Sequence, residues 1–184
     1  MILDVTDLQI EKPNFPPELK DSSLKEKWDW LRTWYSHKFN KYGIKYEIGI
    51  HVITGKIVWV HGPFRGGVHD LNIFRDKLIG LLSPGEMILA DKGYVGSISI
   101  ITPTKGAPYS IFKRCSEDKV LNAVRSKVEM IIGRIKFFNC CKVIYRSDLE
   151  EHKVMFDVVC RLTNLMLKFE PFKSKEEDVT KGYQ

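Results

Sequence analysis

The stretch "KYEIGIHVITGKIVWVHGPF", Lys45 to Phe64, constrains the fold more than any other. Two strand-length runs rich in isoleucine, valine and aromatic residues flank Thr54-Gly55-Lys56, and the glycine supplies the freedom a tight reversal needs. That pattern predicts an antiparallel hairpin. A lone hairpin is marginal in water, so the rest of the chain must extend it into a sheet and cover its faces. "ILDVTDLQI" sets Leu3 and Val5 against Asp4 and Thr6 at strand period. Met87 to Ala90 is a short apolar run between Gly85 and Gly93, the reading of a buried strand, and "ISIITP" reads as a further short one.

Helical spacing fills the gaps. Leu24, Trp28, Leu31 and Trp34 predict a helix over about 23–35, behind the caps Ser22 and Ser23. Leu71, Phe74, Leu78 and Leu81 share a second face, with Asp70 where an N-cap would sit and Pro84-Gly85 as the stop. Two more helices follow, one with the stripe Leu121, Val124, Val128, Ile131 and Ile135. The other carries Met155, Val158, Leu162 and Leu165 behind a Ser147–Glu150 capping box. The order predicts an α/β fold, a mixed sheet of about five strands with flanking helices. One domain is expected over 1–170, with a helical insertion at about 20–36 and a polar tail over 171–184.

Composition narrows the function classes. With 184 residues, 43% of them apolar, a sizeable core is within reach. The net charge of +6 and a pI near 9.1 favour an anionic partner, of which nucleic acid is the commonest. Cys115, Cys140, Cys141 and Cys160 show no CxxC spacing, which indicates neither a zinc ribbon nor a disulfide scaffold and suits a reducing compartment. No apolar run approaches the roughly 20 residues of a membrane span, and no charged segment leads into an apolar signal. No membrane association is expected.

Three acids stand at the edges of predicted core elements: Asp4 on the first strand, Asp91 at the end of the Met87–Ala90 run, and Glu129 on a helix. Arg125 and Lys136 fall on the Glu129 face. Convergent carboxylates suit Mg²⁺ or Mn²⁺, hard cations that prefer oxygen ligands, and paired ions of this kind drive in-line cleavage of phosphodiesters. Neighbouring lysine and arginine would then meet DNA phosphates without reading sequence. Each residue also has an ordinary reading. Asp91 suits a turn, Asp70 a helix cap, and Arg125, Glu129 and Lys136 a solvated ion-pair face. His69 reads as a hydrogen-bonding loop residue, and Trp28, Trp30, Trp34 and Tyr35 as part core and part stacking surface.

Five blocks in order then carry a resemblance: "LDVTDLQIEKP", "YSHKFNKYGIKYEI", "GPFRGGVHDLNIFRD", "ILADKGYVG" and "RSKVEMIIGRIK". The chain resembles the DDE superfamily endonuclease domain of PIF/Harbinger-type transposases. The resemblance implies an RNase H-like fold, a divalent metal, and cleavage and joining of DNA strands in the nucleus of a eukaryote, or in the cytoplasm otherwise. It implies metal-binding catalytic acids at Asp4 and Glu129, with Asp70 or Asp91 as the second ligand, and backbone contacts from Lys45, Arg125 and Lys136. The interval from Asp91 to Glu129 suits DDE spacing better than that from Asp70, and the expectation is Asp4, Asp91 and Glu129 within about 8 Å of one another. Asp70 is then a neighbouring support. Departures are Val5 for a usual glycine, Tyr42 for a histidine and Asn122 for a tyrosine. Relatives carry a DNA-binding region ahead of the first acid, which here stands at residue 4. The expectation is therefore a fragment, a decayed copy or an excised catalytic domain, with a partner protein supplying DNA specificity and homo-oligomers in play. The competing expectation is a domesticated relative that binds DNA or protein without cutting.

Overall fold

The computed structural model describes residues 1–102 and 126–171. Its elements run β1 (Ile2–Gln9), α1 (Leu24–Thr33), β2 (Tyr35–Ser36), β3 (Lys41–Ile50), β4 (Ile57–Arg65), α2 (Asp70–Asp76), β5 (Ile88–Ala90), β6 (Ile100–Ile101), α3 (126–135), α4 (Asn139–Lys142) and α5 (Leu149–Phe169). The fold is mixed α/β with flanking helices, consistent with an RNase H-like nuclease fold. Six strands form its sheet.

β1 is the hub. It pairs antiparallel with β3 along its whole length and parallel with β5, while β4 returns from β3 as the expected hairpin and β6 extends the far edge in parallel. A strand with neighbours on both sides and helices on both faces must be apolar in both alternating sets. Ile2, Leu8 and Ile10 join a core with Ile44, Tyr46 and Ile48 of β3, Val128, Ile131 and Ile135 of α3, and Phe156 and Val159 of α5. Leu3 and Val5 join a second core with Ile73, Phe74, Ile88 and Tyr94. Tyr46 stacks on Phe156 at 3.8 Å between ring centroids, and its hydroxyl hydrogen-bonds the buried His152 Nδ1 at 2.8 Å. The β4 edge is closed by a side chain: Asn164 of α5 accepts from Ile57 N at 2.8 Å and donates to Ile57 O at 2.9 Å.

Several expected details differ. α1 begins as foreseen, with Ser23 and Glu26 forming a full capping box, but Trp28 is 64% exposed and Leu24 lies in solvent, so only Leu31 of that face is buried. Asp70 does not cap α2; His69 holds the cap position and the Asp70 carboxylate is engaged elsewhere. α5 is capped by Asp148, which accepts from Glu150 N at 2.6 Å, in place of the Ser147 box. Its core face is also different. His152, Phe156, Val159, Cys160, Thr163 and Leu167 point inward, whereas Val158, Leu162 and Leu165 remain exposed. Leu121, Val124, Asn122 and Cys115 lie outside the described residues, as does most of the tail expected over 171–184. No helix among the described residues is long and apolar enough to cross a membrane.

Candidate active site

Two parallel neighbours place the first pair of acids. β1 and β5 are in register with Ile2 opposite Leu89 and Leu3 opposite Ala90. The next residue on each chain is an aspartate, Asp4 and Asp91, and adjacent strands lie about 4.8 Å apart. The apolar pairs that fix the register therefore carry the two carboxylates side by side. Asp91 is held at its post by its own turn: its side chain accepts from Lys92 N at 2.6 Å and opens a single 3-10 turn, Lys92–Tyr94. Asp4 accepts from Val5 N at 2.8 Å.

Asp70 comes in from the start of α2, and two features pin it. Lys45 Nζ donates to Asp70 Oδ1 and to Val68 O, each at 2.9 Å, so the ammonium of β3 ties down the loop leading into α2. Gly93 lies against the other oxygen. A Cβ on Gly93 would stand 2.7 Å from Asp70 Oδ2, so only glycine lets the Asp91 turn come this close without displacing that carboxylate. Behind the turn, Tyr94 is fully buried, and its hydroxyl donates to Glu47 Oε1 at 3.4 Å, a weak bond. Glu47 also accepts from Trp59 Nε1 at 2.8 Å.

These residues open on a cleft of about 450 Å³, lined by Asp4, Asp7, Lys45, His69, Asp70 and Asp91, with His37 and Lys38 on its rim. Its electrostatics are those of crowded acids. Asp4 is pushed up to about 6 from 3.8, first by burial and then by the carboxylates of Asp91 and Asp70, against the Val5 hydrogen bond and the Lys38 charge. Glu47 rises to about 7 through burial, although Trp59 and Tyr94 favour its ionised form. Lys136 reaches the same region from beyond the end of α3: burial and the like charge of Lys38 lower its pKa, while Asp7 and Asp4 oppose the fall.

Of the sequence candidates, Asp4, Asp70, Asp91 and Lys45 thus meet in one cleft. Lys45, expected on a DNA phosphate, instead has two of its three donors engaged within the chain. Glu129 is exposed on α3 and does not line the cleft, and among the described residues no group of three His, Cys, Asp or Glu side chains is placed to hold a metal ion. Arg125 lies outside the described residues. Sequence reading passed over Asp7, His37 and Lys38. Asp7 is buried and takes a short hydrogen bond from the Ser36 hydroxyl, and its only signal was an acid three residues after Asp4 on one strand.

A family model described as DDE superfamily endonuclease matches residues 3–164, nearly the whole described fold. The chain belongs to the DDE superfamily of endonucleases. No curated protein and no solved structure matches it significantly. Endonucleases of this superfamily generally use divalent metals, and the Asp4–Asp91 pair suits one in part. Two adjacent carboxylates repel each other, a contribution to the Asp4 rise that is smaller than that of burial, and a hard dication that keeps several waters would relieve the repulsion.

Proposed function

We propose that this chain is the catalytic domain of a PIF/Harbinger-type transposase, cutting DNA phosphodiester bonds with Mg²⁺ or Mn²⁺ at the Asp4–Asp91 pair. The observation that carries the reading is the register of β1 against β5, which ends two apolar strand pairs in two adjacent aspartates. Bound there, the metal would supply a Lewis acid for the attacking water and the leaving oxygen. The protein's part is positional. Asp4 and Asp91 hold the cation, Asp70 lies beside them under the grip of Lys45, and Lys38 and Lys136 offset the charge of an incoming phosphate. In this reading Glu129 would supply the third acid and Arg125 a contact to the DNA backbone. The partners are DNA and a protein that supplies sequence specificity, and the setting is the nucleus.

The test is nicking of supercoiled plasmid with Mg²⁺ or Mn²⁺, comparing the chain with Asp91→Ala and Asp4→Ala. Loss of nicking in both variants, with folding intact by circular dichroism, is the expected result. Activity retained in Asp91→Ala but lost in Asp70→Ala would reassign the second ligand to Asp70. One observation favours a second reading: Glu129 stands outside the cleft. A domesticated relative would bind DNA and leave the plasmid intact under both metals.

A further inference from the structure

A second groove adjoins the cleft. It encloses about 370 Å³ between the end of α1 and the Gly66–Gly67 turn, lined by Asp29, Arg32, Thr33, Tyr35, His37 and Gly67. His37 and Gly67 also line the cleft, so the two recesses share a wall. The α1 side of that wall is fixed. Gly67 N donates to Thr33 O at 2.9 Å, Gly43 N donates to Trp34 O at 2.8 Å, and a Cβ on Gly67 would stand 2.8 Å from Thr33 O. Arg65 holds the same helix end from β4: its guanidinium lies over Trp34 at 4.9 Å and donates to Thr33 Oγ1 at 3.2 Å. The carbonyls of Thr33 and Trp34 at the end of α1 are thereby taken up by the glycine turn and by β3. The negative end of the helix is not presented to a ligand.

Basic residues predominate along this wall, with Asp29 opposing them. From Trp30 to Tyr46 the chain carries Arg32, Lys38, Lys41 and Lys45 and no acid. Among the described residues Arg32 and His37 make no ion pair. We propose that this groove is a second DNA-backbone site, holding the phosphates next to the one being cut, with Arg32 and His37 as its contacts. The proposal rests on the nuclease reading above. A strand leaving Asp4 and Asp91 along the shared wall meets His37 first and Arg32 after it. Asp29, the groove's one acid, works against the same phosphates.

The experiment is equilibrium binding of a fluorescein-labelled DNA duplex by anisotropy over a range of salt, with nicking followed in parallel. Arg32→Ala should weaken binding about tenfold and lower the salt slope by about one, as loss of a phosphate contact does. Asp29→Asn should tighten binding. Lys25→Ala removes the same charge two turns away on α1, outside the groove, and should change binding less than about twofold. Arg32→Ala and Lys25→Ala with equal effects, or Asp29→Asn without any, overturn the groove while leaving the nuclease reading intact. A wild-type chain that neither binds nor nicks DNA overturns both.

Discussion

Replacing Glu47 with glutamine should remove much of the pH dependence of this protein's stability. Glu47 is 0% exposed on the central hairpin, and among the described residues no cation pairs with it. Burial lifts its pKa from 4.5 to about 7. The folded state thus holds a proton that the unfolded chain releases near pH 4.5. Below that the acid imposes no penalty; the penalty grows as pH rises to about 7 and is constant above. At about 1.4 kcal/mol per pH unit, folding with Glu47 ionised is less favourable by about 3 kcal/mol, of which about 2.5 kcal/mol develops between pH 5 and pH 8. Glutamine still accepts from Trp59 Nε1 and never ionises, but of its two buried amide hydrogens only one can reach an acceptor, the Tyr94 hydroxyl, a loss of about 1–3 kcal/mol at every pH. Urea unfolding with EDTA, for both proteins at pH 5 and pH 8, measures this. The variant should be the less stable at pH 5, with the gap closed or reversed at pH 8. Asp4 contributes a slope in the same direction to both proteins, so it cancels from the difference. A wild-type-minus-variant stability that is equal at the two pH values would refute the buried, protonated Glu47.

Gly93→Ala should destabilise the chain by about 1–3 kcal/mol and impair nicking, because its methyl meets an Asp70 carboxylate that Lys45 prevents from turning away. Adding Asp70→Ala should restore part of that stability, and thermal unfolding of the two single variants and the double variant reads the coupling. Asn164→Ala strips both backbone partners from Ile57 on the β4 edge and should lower unfolding free energy by about 1–3 kcal/mol in urea; a loss below about 0.5 kcal/mol would show that water replaces the clamp.

What the sequence revealed, and what it hid, follows from the range of each interaction. Asp4 and Asp91 were legible because each directly follows a short apolar run, and strand pairing then needs only those runs to align. Asp70 misled because cap preference is local, whereas the competing ammonium comes from a strand 25 residues earlier. Asp148 and Ser147 are both good caps standing next to each other, so spacing alone favoured the wrong one. α5 is apolar on two faces. The one that packs admits His152 and Thr163, whose Nδ1 and hydroxyl bond the Tyr46 hydroxyl and Val159 O, and those polar residues disguised it. Glu47 read as one more polar position on a strand, because its partners Trp59 and Tyr94 lie 12 and 47 residues away.

The brevity of β5 has a consequence for how this chain can change in length. Three residues and two registered pairs set the position of Asp91 against Asp4. A single residue gained or lost between Ile88 and Asp91 reverses the pleat, turning the carboxylate toward the packed side of the sheet and an apolar side chain toward the cleft. The same change at the 51–56 reversal, or in the 83–87 connection with its exposed Pro84 and Gly85, is absorbed by loop backbone outside the registered pairs. Insertions and deletions among relatives should therefore gather at those two loops and spare the four positions from Ile88 to Asp91, making that short window a ruler against which a decayed copy can be told from a working one.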